Sequence, residues 1–388
     1  MPDRVAEAGR STLVFSLLVQ SCAMLPVFLT GSLYPLIARD IVLPPNRLGM
    51  IVATFFAFSA LASASVAILV DRVGPWTMTR ICLIILTLAL ALLASASTEM
   101  YFYSGMAIAG IANGCIQPAT NVAISRHVVK SRQGMAFGLK QSAIPFASLV
   151  AGFAVPFVGL TLGWRAAYGA VIILLAALLF AVPRPTASPK PKISAVPSKP
   201  SWGFIALVSG LAGLGAGSAN AMAAFIVGYG VSLGISPATA GFVVAAGSAF
   251  SIGIRLILGM AADRYAMPIF FVVALLFVGG AVGYEILALY PTKFLYVVAT
   301  ILAFGMGWGW AGISLLGVVR ASGPTAGRTT AMMQAGLFCG AVIGPLGFGW
   351  LVTAHSYSTA WSVLAVATAI AAALGLLLQK QTKGFAPA

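Results

Sequence analysis

The sequence predicts an all-α membrane protein of twelve transmembrane helices, arranged as two pseudo-symmetric six-helix bundles. Three observations carry that expectation. Of 388 residues, 60% are hydrophobic and 7% charged, whereas a soluble domain carries about 25% charged residues. Apolar runs long enough for bilayer helices of about 20 residues follow one another along nearly the whole chain, leaving no room for a catalytic domain of ordinary size. Short polar motifs also recur at a nearly constant offset of 192 or 193 positions. The 42 glycines and 21 prolines suit the same class, because neighbouring helices in lipid re-satisfy the backbone groups that such residues free.

The first apolar run, from about Thr12 to Ala38, is too long for a cleaved signal peptide and has no small-residue cleavage pattern after it, so it stays as helix 1, beginning near Leu13. The next spans begin near Leu48, Trp76, Met100, Gly134 and Trp164, each opened by charged, Pro or Gly punctuation. Pro183 to Pro200 is unlike the rest, with six prolines, four basic residues and no apolar run. It reads as a solvated linker in extended conformation. Six more spans begin near Trp202, Pro237, Ala266, Phe294, Gly327 and Tyr357. The expected division is therefore an N-terminal bundle at 1–182, a linker at 183–200 and a C-terminal bundle at 201–388.

Charge placement sets the orientation. With the N-terminus cytoplasmic, sixteen of the 22 Lys and Arg fall in inside segments, while Arg39, Arg47, Arg165 and Lys293 fall outside. The remaining two, Lys140 and Arg255, lie within spans. This bias places both termini and the linker in the cytoplasm of a cell (inner) membrane protein. The net charge of +15 does not point to nucleic acid, because no basic residues line up along an amphipathic face. Cys22, Cys82, Cys115 and Cys339 sit singly in apolar segments, with no Cys-x-x-Cys spacing and no His pair, so neither a metal nor a disulfide is expected. His127 and His355 fall in loops, and no phosphate-cradling loop is present. No cofactor, catalytic residue or ATP-driven step is expected, and the protein is read as a monomer in the lipid bilayer, not an enzyme.

The repeat is carried by two pairs of motifs. Helix 2 ends in Ala67-x-x-x-Asp71-Arg72 and helix 8 in Gly259-x-x-x-Asp263-Arg264; Gly134 and Gln141 of helix 5 correspond to Gly327 and Gln334 of helix 11. Duplicated halves joined by a linker suit a rocker with its ligand between the halves. At these motifs the chain resembles the major facilitator superfamily of secondary transporters along essentially its whole length. The loop signature of that family, Gly-x-x-x-Asp-Arg-x-Gly followed by basic residues, is matched here at Asp71, Arg72 and Gly74, with Ala67 in place of the first Gly and Pro75-Trp76 in place of the basic pair. The resemblance implies the major facilitator fold and a gating role for Asp71, which would face the start of helix 11 near Gly327 and Arg328; Arg72, Asp263 and Arg264 join it as gate candidates. An acid meeting a helix N-terminus is the physical basis for such a gate, the plainer alternative being a solvated charge pair at a helix end.

The helix 8 pattern Arg255-x-x-x-Gly259-x-x-x-Asp263-Arg264 is similar to that of the organic-anion carriers, the oxalate/formate exchangers and monocarboxylate transporters. In the proton-coupled members an Asp precedes the Arg by one turn; here Ser251 stands there. The Gly-Pro-x-x-Gly-Gly-like run of drug antiporters is replaced in helix 5 by Ala151-Gly152-Phe153-Ala154-Val155-Pro156, and Gly344-Pro345-Leu346-Gly347 of helix 11 is its nearest match.

Arg255 and Lys140 are each expected roughly 10 Å inside the membrane, in opposite halves. A charge there costs about 3 kcal/mol or more unless paired or hydrated, and none of the seven acids lies at that depth. The missing anion is therefore expected to arrive with the substrate, Arg255 offering a planar fork and Lys140 a mobile point charge. Snorkelling, or for Arg255 bonding to helix carbonyls, is the alternative. Asn113, Gln117 and Asn121 form a polar stripe on helix 4 that either lines the cavity or glues helices together. Gln334, Gln20, Tyr34 and Trp308 complete the candidate substrate-binding set; Tyr34 caps the outer mouth or belongs to an aromatic belt. Trp308 and Trp310 point to different sides, so at most one faces the cavity. The expected function is alternating-access secondary active transport of a small organic anion, a carboxylate, coupled by proton symport or exchange against a counter-anion. Efflux of drugs or hydrophobic compounds, and a non-transporting nutrient sensor, are the alternatives.

Overall fold

The structure, a computed structural model, describes residues 2–128, 136, 138–183 and 201–382, together with their side chains except at 2–8, 67, 68, 71 and 324. Twelve helices follow in order: α1 Pro2–Asp40, α2 Pro45–Val73, α3 Pro75–Ala94, α4 Glu99–His127, α5 spanning Gly138–Leu162, α6 Trp164–Ala181, α7 Trp202–Ser232, α8 Pro237–Arg264, α9 Ile269–Leu289, α10 Lys293–Ser322, α11 Ala326–Ala354 and α12 Tyr357–Thr382. Eleven are long and apolar enough to cross a membrane. The other, α4, matches them with 29 residues but carries the polar stripe. Large apolar side chains such as Ile173, Phe180, Ile257 and Ile343 are exposed, as expected where lipid is the solvent.

Local chemistry sets the ends. Pro45, Pro75 and Pro237 open their helices where a missing N–H costs nothing. The Ser201, Ser236 and Thr292 hydroxyls accept from the backbone N–H of Phe204, Thr239 and Leu295. Gly74, at φ 86°, makes the left-handed turn between α2 and α3, and this gives the glycine of the Asp71-Arg72 loop its structural reason. The starts agree with the apolar runs to within three residues for ten helices. Helix α1 instead begins at Pro2, because the charged residues before Leu13 end the apolar run without ending the helix. Helix α9 starts at Ile269 rather than Ala266, since Pro268 disfavours helical backbone at Met267. Gly134 and the linker from 184 to 200 lie outside the described residues.

Helix α5 departs from the simple rod that its apolar pattern predicts. Ser142 interrupts the helix as a turn in which its N–H reaches back to Leu139, and Val155–Gly159 widens into a π-turn around Pro156. Pro145 and Pro156 have no N–H to give to the carbonyl four residues back. The first of these freed carbonyls, that of Gln141, becomes central to the site.

Because the helices alternate in direction, both termini share one end of the bundle, here the terminal face, and the connections α1–α2, α3–α4 and α5–α6 lie at the far face. There Asp40 accepts from Trp164 Nε1 at 2.9 Å and Arg165 Nη1 at 2.8 Å, and Arg47 pairs with Glu99 at 3.7 Å. The two halves meet along α1 on α7, α2 on α11 and α5 on α8.

Candidate functional site

Arg255 sits on the α8 face that packs against α5, with 8% of its surface exposed. Its Nη1 donates across the seam to the Gln141 carbonyl and its Nη2 to the Trp308 carbonyl of its own half, each at 2.6 Å. The Gln141 carbonyl is free to accept because its helical partner four residues on is Pro145. A guanidinium has five N–H donors; two are engaged here and Nε has no partner. Of the alternatives open from the sequence, carbonyl bonding is therefore present, without exhausting the fork.

Lys140, one residue before that carbonyl, is equally buried and held inside the first half. Its Nζ donates to Asn121 Oδ1 at 2.6 Å and to the Gln117 carbonyl at 3.0 Å, which ties α5 to α4. Asn121 is exposed and Gln117 half-buried. The Arg255 guanidinium thus reaches the turn of α5 from which Lys140 springs, while the Lys140 ammonium is bonded on α4. Among the described residues neither has a carboxylate partner: the ion pairs lie at the far face, and Asp263 is exposed beyond the seam while Glu285 is half-buried near the far end of α9.

The other candidates separate. Asn113 and Gln20 bond to each other, Gln20 Nε2 donating to Asn113 Oδ1 at 3.0 Å, and Asn113 Nδ2 donates to Ser59 Oγ at 3.1 Å. Both are buried, so Asn113 joins α1, α2 and α4 as the helix-gluing alternative for the stripe has it, and only Gln20 Oε1 stays unpaired. Gln334 is half-buried on α11. Trp308 turns its ring to Phe28 of α1, edge-on with centroids 5.6 Å apart, while Trp310 packs on Phe277 within its own half. That is the split expected from their spacing. Tyr34 is buried rather than part of an exposed belt; its hydroxyl donates to the Leu43 carbonyl, and its ring packs on Gly228 of α7.

The Asp71 side chain lies outside the described ones; Arg72, Asp263, Arg264 and Arg328 are exposed. Arg328 lies over the Trp202 ring of its own half at 5.1 Å. At the far face the halves are closed: Asn46 N–H donates to Thr353 Oγ1, Tyr34 meets Gly228, and Ser248 Oγ donates to Ser148 Oγ. Gly152 and Gly241 let α5 and α8 touch backbone to backbone, since a Cβ on Gly152 would stand 2.6 Å from the Gly241 carbonyl oxygen. The hydrogen bonds Arg255–Gln141, Ser248–Ser148 and Asn46–Thr353 and the ring contacts of Phe28 with Trp308 and of Phe242 with Phe153 and Phe157 join the halves at the Arg255 level or nearer the far face.

Sequence reasoning missed Asn220. It lies on α7 in one stripe with Gly217, which packs on Gly340 of α11 in the same half, and Ala224, which packs on Gly31 of α1 in the other half. Its Nδ2 donates to the Ala216 carbonyl and its Oδ1 is unpaired. A lone carboxamide in a Gly/Ala run was the available signal.

The solved structures place the fold. A bacterial homologue of the human lysosomal transporter Spinster, in an inward-facing and occupied conformation, superposes with TM-score 0.75 at 15% identity, covering 97% of this chain and 98% of that one. A mutant of the nucleoside transporter NupG superposes with TM-score 0.74 at 15% identity, covering 96% and 99%. No curated protein matches the chain. The model of the Major Facilitator Superfamily matches residues 16–332, and with this fold and these paired halves the chain belongs to that superfamily of secondary transporters, as a multi-pass membrane protein.

Proposed function

We propose that this transporter carries a small organic anion, a carboxylate, by alternating access between its two halves, with protons or a counter-anion as coupling partner. One observation carries the reading: two buried cations from opposite halves, Arg255 bonded to the Gln141 carbonyl of α5 and Lys140 rooted one residue before it with its ammonium bonded on α4, have no carboxylate beside them among the described residues. A buried charge is tolerated when paired or well hydrogen-bonded, and carbonyl dipoles supply only part of that. An anion bound between the halves completes the neutralisation and, by touching both, favours their closing around it. The cargo named for the NupG neighbour, a nucleoside, is a neutral class of molecule that can accept hydrogen bonds but brings no charge to neutralise these cations; that likeness supports the fold alone. By the positive-inside bias the terminal face is cytoplasmic, and the far-face contacts then make this a state closed to the outside.

Uptake of labelled carboxylates into proteoliposomes, driven by a pH gradient or by preloaded anion, tests the reading and separates the two couplings. Arg255→Lys keeps the charge and loses the fork, and should bind weakly. Arg255→Ala should lower affinity more than a hundredfold, the effect of removing one partner of a buried charged pair, about 3 to 5 kcal/mol. Wild-type transport rates in a folded Arg255→Ala variant, or a wild-type preference for cations, would overturn the carboxylate assignment.

A further inference from the structure

Two buried polar atoms one helical turn apart on α8, Ser251 Oγ and Arg255 Nε, have no hydrogen-bond partner. Ser251 is fully buried and Arg255 nearly so. Several serine and threonine hydroxyls in the other spans, those of Ser59, Ser65, Thr79 and Thr120 among them, donate to the carbonyl four residues back, whereas the buried hydroxyl oxygens of Ser16, Thr300 and Ser322 share with Ser251 the lack of a partner. Ser251 does not donate in this way, although the Gly247 carbonyl is in the same position for it. A helical side chain leans toward the helix N-terminus, so that of Arg255 lies over the turn that carries Ser251. The opposing helix supplies nothing. Contacts between α5 and α8 set residue 255 against 141 and 248 against 148, which puts Ser251 at the level of Pro145, a residue with neither an N–H nor a polar side chain.

We propose that Ser251 is a substrate-binding residue, its Oγ–H and the Nε–H of Arg255 together holding one carboxylate oxygen in the α5–α8 seam. This rests on the carboxylate reading above and extends it. Two donors one helical turn apart, each without a partner of its own, suit an acceptor-only oxygen, and the bonds already made by Nη1 and Nη2 leave the Nε edge of the guanidinium unused. The subsite lies beside the cross-half bond to Gln141, so an anion there meets the contact between the halves directly.

The test is the concentration dependence of labelled acetate, lactate and oxalate uptake in proteoliposomes. It compares wild type with Ser251→Ala, Ser251→Thr, Ser251→Cys and Arg255→Lys, each confirmed as folded by size-exclusion profile and melting temperature. Ser251→Ala should raise KM roughly tenfold or more, as expected for losing a hydrogen bond to a charged group, with maximal rate and melting temperature little changed. Ser251→Thr keeps the hydroxyl and should stay within a few-fold of wild type. Ser251→Cys, a weak donor of similar size, should fall between, and it serves as the reporter if the alanine variant does not fold. Wild-type KM in Ser251→Ala or Ser251→Cys, alongside a weakened Arg255→Lys, would overturn the Ser251 subsite and leave the carboxylate reading standing. Unchanged KM in both Ser251→Ala and Arg255→Lys, or no uptake of any carboxylate by the wild type, would overturn both.

Discussion

Arg255 and Lys140 differ in what holds them, and that difference sets what each substitution should do. Arg255 bonds carbonyls on two helices of opposite halves, that of Gln141 freed by Pro145, whereas Lys140 is bonded to Gln117 and Asn121 of its own half. Removing Lys140 takes away a charge near the site but leaves the inter-half contact in place; Asn121 is exposed and finds other partners. Lys140→Ala should therefore raise the KM for a carboxylate by roughly tenfold, about 1.4 kcal/mol, less than Arg255→Ala, with the distance between halves unchanged. Measured KM values for the two variants in the same vesicles decide this, and a larger effect for Lys140 would make it the principal anion ligand. Both cations were legible in the sequence, because a charge inside an apolar run stands out. Asn121, which accepts from Lys140, belongs to the polar stripe already visible in the sequence; the backbone acceptors were not legible, since carbonyls carry no residue signature and only a proline four positions after Gln141 marks the one that Arg255 uses.

Among the elements, α5 and α8 carry the seam, and glycine decides how close they come. The helix starts could be read from apolar runs punctuated by proline, as at Pro45, Pro75 and Pro237. The turn at Ser142 and the π-turn at Val155–Gly159 could not, because an apolar helix facing lipid shows the same composition whether or not its hydrogen-bond ladder is broken. Likewise Ala151-Gly152-Phe153, which reads only as a departure from the drug-antiporter run, is in the fold the point of backbone contact with Gly241. Gly152→Val would force the helices apart at the far face, an overpacking cost of about 1 to 3 kcal/mol in the far-closed state alone. Transport should fall at least tenfold while the protein still folds, and Gly138→Val, at a position in the same helix with nothing within 4 Å, should be tolerated. Equal losses in both variants, measured by uptake per folded protein, would show that the α5–α8 contact has no special part.

For the whole molecule, the positive-inside bias predicts that 184–200 faces the cytoplasm, and a cysteine placed there in intact cells should resist impermeant reagents; labelling from outside would invert the assignment and make the present state one closed to the inside. Opposing contacts at the two faces then govern the equilibrium between the states. Pro145 keeps the Gln141 carbonyl free for Arg255, so Pro145→Ala returns an N–H to that carbonyl and weakens a far-closed contact. A hydrogen bond to a charged group is worth about 1.5 to 3 kcal/mol, so the population should move roughly tenfold toward the far-open state. Asp71, if it meets the start of α11 when the terminal face closes, favours the other state by about 0.3 to 2 kcal/mol; Asp71→Asn should therefore move the population the opposite way. The two residues are on different helices and have no partner in common by this account, so their effects should add to within about 0.5 kcal/mol and the double variant should return toward the wild-type distribution. Spin labels at positions 162 and 236, the exposed far-face ends of α5 and α8, report this in a background with the four native cysteines replaced. The longer distance should gain in Pro145→Ala, lose in Asp71→Asn and recover in the combination. Shifts of the same sign in both single variants would mean that the two faces are not alternative closures of one rocking molecule.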